Sequence, residues 1–236
     1  MLRHNDKSNT INWLGDLRSK QYVDWIYDTS KDGRTKPAVY FLTTTGIRTL
    51  RHEPGTTRYI THRLYGSAKR TPAFIARHLF IADIAIKLQG LNTATSSFTY
   101  ATRSAYLSGA NGPTVMSESA IRPDLLVRHE SVVNVYSYFL EYVPTTLPTY
   151  RLRTKLLEYL EFSGSHYWYP DNPLPQLLLI AQTRSQATAI RTVVHRIQTQ
   201  MQPWPEFTIK LARADQIAES SLFDPIWQVL TKDNIG

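Results

Sequence analysis

Two neighbouring stretches decide the fold: Ser119-Ala120-Ile121-Arg122-Pro123-Asp124-Leu125-Leu126-Val127-Arg128 and Val132-Val133-Asn134-Val135-Tyr136-Ser137-Tyr138-Phe139-Leu140-Glu141-Tyr142-Val143. In the first, Pro and Asp supply turn chemistry and an apolar run follows, the pattern of a loop entering a strand. The second is longer and rich in β-branched and aromatic residues, which suit a pleated, buried surface. Together they predict a pair of central strands. Downstream, Tyr150 to Phe162 sets Leu152, Leu156, Tyr159 and Leu160 on one face of a helix. Gln176 to Ala181 is an unbroken apolar run suited to a buried strand, followed by a helix from about Ser185 to Gln200 and a strand from Phe207 to Leu211. Strand, helix, strand, helix, strand implies βαβ crossovers. A short helix near Asp215 to Ser220 and the tail from Asp224 to Leu230 are expected to cover the sheet.

Upstream, Arg77 to Leu91 is apolar around most of its circumference, as a helix packed on both sides would be. Phe98 to Ala101 and Ala105 to Leu107 are candidates for short strands. The polar, Thr-, Gly- and Arg-rich stretch before Arg77 lacks a sustained period and reads as a linker over residues 54–76, with His52 and His62 near and within it at a spacing that fits no compact metal motif. The domain reading is therefore residues 1–53, linker 54–76 and residues 77–236.

In the first module, Ile11, Leu14 and Leu17 recur three apart between Thr10 and Lys20, predicting a short helix with Asn9 or Thr10 as N-cap. Two β-prone runs, Tyr22 to Tyr27 and Ala38 to Leu42, flank an Asp-Gly loop carrying Lys31, Arg34 and Lys36. Thr43 then opens a final helix through Arg51. Helix, strand, basic wing, strand, helix is the order of a winged helix, here partial, because only nine residues precede Thr10. In that architecture Arg18, Lys20, Lys31, Arg34 and Lys36 are the residues expected to touch DNA. A hairpin packed on the larger domain is the alternative.

The charge distribution points the same way. The chain of 236 residues has a formal net charge of +8, and residues 1–75 hold 13 Lys and Arg against 6 Asp and Glu while residues 76–236 hold 14 against 13. A surplus concentrated on one small module suits phosphate neutralisation with counterion release. Hydrophobic residues make up 42% and charged residues 19%, with no apolar run long enough to span a bilayer and no leader of the secretory type, so a cytoplasmic protein without membrane partners is expected. The absence of cysteine excludes disulfides, thiolate metal sites and a cysteine nucleophile.

The sharpest chemical pattern is acidic. Asp124 opens one central strand, Glu141 lies 17 residues later near the end of the next, and Lys155 follows on the helix. Two carboxylates on adjacent strands can hold Mg²⁺ while a lysine steadies an attacking water or developing charge. Turn chemistry at the proline-aspartate and an ordinary glutamate-lysine pair would yield the same residues.

The proline-aspartate followed by a hydrophobic strand ending in glutamate resembles the PD-(D/E)XK nuclease superfamily. More closely, the order of motifs resembles the replication-relaxation family of plasmid and mobile-element proteins: the wing with VYFLTTTGIRTL, then HLFIADIAI with His78 and Asp83, RPDLLVR, FLEYVPTT, KLLEYLEF, LLLIAQT and the terminal PIW. The resemblance implies a restriction-endonuclease-like α/β/α domain with a mixed central sheet after the winged helix. It implies DNA and other replication or relaxosome proteins as partners, a homodimer as an assembly, and Mg²⁺ bound by Asp124 and Glu141 if the domain is catalytic, with Lys155 assisting. The superfamily's lysine would fall at Val143. Lys155 can replace it from the helix, or can be an ion-pair partner of Glu158 or Glu141, and Glu118 is a further carboxylate. His78 and Asp83 are expected to hold their helix against the sheet, and His129 and His195 carry less information. Three functions remain open: a DNA-binding factor with an inactive nuclease-like domain, a Mg²⁺-dependent endonuclease or nickase, and a winged-helix transcriptional regulator.

Overall fold

The computed structural model describes residues 7–26, 37–53, 70–103, 105, 121–165, 168, 172–201, 203–220 and 222–230. The chain divides into two compact units, Met1–Pro72 and Ala73–Gly236.

The first unit contains α1 (Lys7–Ser19), β1 (Val23–Ile26), β2 (Val39–Leu42) and α2 (Thr44–Leu50). α1 starts three residues before Thr10, so Asn9 and Thr10 lie inside the helix rather than capping it. Its apolar residues do not form a buried stripe: Ile11 and Leu17 are exposed. The helix ends where Tyr22 donates its N–H to the Leu17 carbonyl and Gln21 to that of Arg18, with Gln21 in the left-handed region at φ 59°. Glycine usually fills that position. β1 and β2 pair antiparallel from Val23 against Leu42 to Ile26 against Val39. Thr43 caps α2 by accepting from the Gly46 N–H at 3.2 Å. Gly46 is required by close approach, because a Cβ there would lie 2.1 Å from the Tyr22 carbonyl oxygen.

The second unit contains, in order, α3 (Pro72–Gly90, all but its first residue), β3 (Ser96–Thr102), β4 (Leu125–Ser131), β5 (Val135–Val143), α4 (Thr149–Gly164), β6 (Gln176–Ala181), α5 (Arg184–Gln200), β7 (Ile209–Arg213), α6 (Ala214–Glu219) and β8 (Gln228–Val229). The six strands form one mixed sheet in sequence order, antiparallel from β3 to β5, parallel from β5 to β7, and antiparallel again at β8. The crossovers β5-α4-β6 and β6-α5-β7 run in the same direction along the sheet, and a shared crossover hand puts both helices on one face. There Leu152, Leu156 and Tyr159 of α4 and Ile190, Val194 and Ile197 of α5 pack on Leu126, Phe139, Leu177 and Leu179. The opposite face packs Leu125, Val127, Leu140, Tyr142 and Ile180 against Ile84 and Leu88 of α3 and Ile217 of α6. The period-2 alternation of a strand therefore assigns Phe139, Glu141 and Val143 to the α4 side and Leu140 and Tyr142 to the α3 side.

Several expectations shift. α3 begins at Pro72, whose preset φ suits a first helical position, and buries one side only: Ile84, Ala85 and Leu88 are buried while Leu79 and Ile86 are exposed. Val132 and Val133 lie in the turn before β5, more than three-quarters exposed at 80% and 85%. β7 runs two residues later than Phe207 to Leu211. The tail contributes an edge strand, Lys210 pairing with Val229, in addition to covering the sheet with Ile226 and Trp227. Of the Ala105 to Leu107 run, residues 106 and 107 lie outside the described residues.

Candidate functional site

Glu141 sits in β5 beside Leu179 of β6 and is buried to 2% exposure. A carboxylate that deep in a sheet needs hydrogen bonds and a countercharge. Both come from α4, packed directly over it. Lys155 Nζ lies 2.6 Å from Glu141 Oε2, and Tyr159 donates its hydroxyl to Oε1 at 2.6 Å. Lys155 and Tyr159 are four residues apart, one helical turn, so they share the face of α4 that looks onto β5. Burial pushes the Glu141 carboxyl above the ordinary glutamate range; Lys155 opposes the shift, Asp124 adds to it, and Tyr159 opposes it.

Asp124 immediately precedes β4 and extends its ladder, its N–H donating to the Leu140 carbonyl at 2.9 Å. One carboxylate oxygen, Oδ2, accepts the Tyr142 N–H at 2.9 Å. Arg77, from the first turns of α3, grips both oxygens: Nη2 to Oδ1 at 2.6 Å and Nε to Oδ2 at 3.3 Å. The same Nη2 lies 4.0 Å from Glu141 Oε2. Arg77 thus stands between the two acidic residues, and every one of their four oxygens accepts a hydrogen bond from the protein. The structure brings Asp124, Glu141 and Lys155 into one cluster.

Beside the cluster is a pocket of about 210 Å³ walled by Arg77, Arg103, Glu141, Lys155, Tyr159 and the apolar residues around Val143 and Leu147. Val143 is itself buried in the core on the α4 side, so the position where a lysine would continue the strand motif serves packing. Arg103, just past β3, donates its backbone N–H to the Asp124 carbonyl at 3.2 Å, and its side-chain Nε is buried with no hydrogen-bond partner among the described residues. No group of three or more His, Asp or Glu side chains that could hold a metal ion occurs among the described residues.

The family model described as replication-relaxation matches residues 1–177. The chain belongs to the replication-relaxation family. That membership suggests a role in plasmid or mobile-element replication. No curated protein and no solved structure matches the chain. The family match takes in Asp124, Glu141, Arg77, Arg103 and Lys155, and stops within β6.

The other candidate residues fall elsewhere. Arg18 is exposed, stacked over the Trp25 ring at 3.8 Å, with Nε 3.4 Å from Asp24. Lys20 is exposed and pairs with Asp16 at 2.8 Å, one turn back on α1, which raises the lysine pKa. Lys31, Arg34, Lys36, His62 and Glu118 lie outside the described residues. His78 and Asp83 are exposed, and the contacts of His78 are with Phe74 of its own helix rather than with the sheet. His129 bonds Ser96 at 2.9 Å and stacks on Phe98, while His195 is exposed. Among the described residues no helix is long and apolar enough to cross a membrane.

Arg77, Arg103 and Tyr159 were missed as site residues by reading the sequence. For Tyr159 a signal existed in its spacing of four from Lys155. For the arginines none did, because Arg77 reaches the acidic pair, and Arg103 the pocket beside it, from elements distant in sequence.

Proposed function

We propose that this protein binds DNA in plasmid or mobile-element replication and relaxation, through a partial winged helix, and that its nuclease-like α/β unit serves as a scaffold that does not cleave. The observation that carries the second half is the occupancy of the acidic oxygens: Arg77 and the Tyr142 N–H take Asp124, and Lys155 and Tyr159 take Glu141. A resident Mg²⁺ does not fit this donor set. It needs near-octahedral oxygen ligation, and it would have to displace a bidentate guanidinium and an ammonium from two buried carboxylates. The convergence of Asp124 and Glu141 on adjacent strands supports a nuclease-like ancestry for the unit, with Arg77 now supplying the positive charge between them.

The first half rests on the positive surplus of residues 1–75 and on the hairpin between α1 and α2, the helix-strand-strand-helix order of a wing. The wing residues are Lys31, Arg34 and Lys36; Arg18 and Lys20 are secondary contacts because acidic neighbours already pair with them.

Two measurements test the reading. Replacing Lys31, Arg34 and Lys36 by glutamate should weaken duplex binding and flatten its salt dependence, the slope of log K against log salt falling by about 0.9 for each phosphate no longer neutralised. An unchanged affinity and slope would remove the wing assignment. Supercoiled plasmid incubated with protein and Mg²⁺ should remain intact. Nicking that disappears in both Asp124→Ala and Glu141→Ala, with DNA binding retained, would establish the nickase instead.

A further inference from the structure

We infer that the pocket walled by Arg77, Arg103 and Lys155 binds a phosphate group directly, held by these three cations without a metal ion. The charge count sets the sign of the ligand: among the described residues Arg77, Arg103 and Lys155 line the pocket against Glu141, with Asp124 behind Arg77, which leaves the site net positive. A metal cation would enter against that surplus and an anion with it.

The unsatisfied donor sets the position. Arg103 Nε is buried without an acceptor among the described residues, and a buried charged donor left unmade carries its whole desolvation cost. The remaining cations have capacity to share. Arg77 commits Nε and Nη2 to Asp124, and Lys155 commits one ammonium hydrogen to Glu141, while their side chains remain 23% and 29% exposed at the pocket. A guanidinium offers five N–H groups and an ammonium three. Donors arriving from three separate elements, α3, the end of β3 and α4, suit the several oxygens of a tetrahedral phosphate better than the two coplanar oxygens of a carboxylate.

Location and size agree. The pocket opens beyond the carboxyl end of β5, whose Tyr142 and Val143 line it together with Pro144, and ligands of open α/β sheets bind outside the carboxyl ends of parallel strands. Its volume of about 210 Å³ holds a phosphate with its ester carbon and leaves the apolar wall at Leu147 and Leu152 for what is attached. This inference stands apart from DNA contact by the N-terminal unit, so either can fail alone.

The test uses the full chain in EDTA, titrated with inorganic phosphate against chloride at matched ionic strength, with thermal unfolding and calorimetry as readouts. The expected result is a Tm that rises with phosphate, an affinity about tenfold weaker in Arg103→Gln, and a tighter affinity in Glu141→Gln, which removes a negative wall charge. Arg103→Lys, which keeps the charge and loses the fork, should fall between and guards against a Gln variant that fails to fold. No rise in Tm at matched ionic strength overturns the inference, as does a rise that both Arg103→Gln and Lys155→Gln leave intact. A second arm compares a short oligonucleotide bearing a 5′-phosphate with its 5′-hydroxyl counterpart. Tighter binding of the phosphorylated strand than of the hydroxyl strand, an advantage lost in Arg103→Gln, assigns the site to a nucleic-acid end, whereas equal binding of the two strands with free phosphate bound assigns it to the ion; both support the pocket. Equal binding of the two strands with free phosphate inactive overturns it.

Discussion

At Glu141, burial and pairing compete. The carboxyl has lost its water, and Lys155 and Tyr159 replace only part of that solvation, so its folded pKa lies above the unfolded value of about 4.3. A raised folded pKa means that the folded state favours the proton. The stability this group contributes is complete below the ordinary glutamate range and is lost as pH rises through the raised value. Glu141→Gln holds the neutral form at every pH while keeping an acceptor for Tyr159. Urea unfolding of both proteins across a pH series should therefore show the wild type losing ground to the variant as pH climbs from about 4 toward neutrality. A difference that stays constant over that range would mean that Lys155 compensates the burial in full. Arg77 poses the converse case. It is the only residue within ion-pair reach of both carboxylates among those described, and leaving Asp124 alone beneath it would strand a buried charge, a loss of about 3–5 kcal/mol in comparable pairs.

At the scale of elements, α4 joins the core to the site. One face of this helix carries Leu152, Leu156 and Leu160 into the sheet and, in the same turns, Lys155 and Tyr159 to Glu141. Packing and charge positioning are thus one structural event, and a cavity beneath α4 should loosen both. Leu156→Ala, at a position 1% exposed, is expected to cost about 2–5 kcal/mol in urea unfolding. Ile86→Ala on the open side of α3, where the side chain is 65% exposed, should change stability by less than about 0.5 kcal/mol. Similar costs at the two sites would contradict the assignment of the buried faces. The contrast also explains why α3 misleads as a sequence: its apolar residues continue around the helix although one face alone meets the sheet.

For the whole molecule, charge and core are distributed unequally. The positive surplus belongs to residues 1–75, while the six-stranded sheet and both hydrophobic clusters belong to the second unit. Among the described residues, every side chain in the two clusters comes from Phe80 or later. A fragment spanning Arg70 to Gly236, which keeps all of α3, should accordingly express as a folded unit with a single cooperative urea transition and an α/β far-ultraviolet spectrum. A fragment lacking a cooperative transition would show that the N-terminal unit is needed to complete the core.

Local pattern was enough to determine β6, α4, α5, the β1-β2 hairpin and the Thr43 cap, because in each the period or the capping chemistry is contained within a few residues and agrees with the burial the fold imposes. Asp124 and Glu141 were legible for the same reason: an acidic residue beside a strand of Val, Leu and Phe is conspicuous in one dimension. Pattern failed where burial depended on what lay opposite. Ile11 and Leu17 have helical spacing and remain exposed, Val132 and Val133 read as strand and form a turn, and the tail from Asp224 supplies an edge strand. The chemistry of the site was decided by tertiary structure alone. Arg77 lies 47 residues before Asp124, and Arg103 lies 38 before Glu141. No local period links them, since their proximity comes from strand register and helix packing, and it is this proximity that sets Arg77 on both carboxylates and Arg103 at the wall of the pocket beside them.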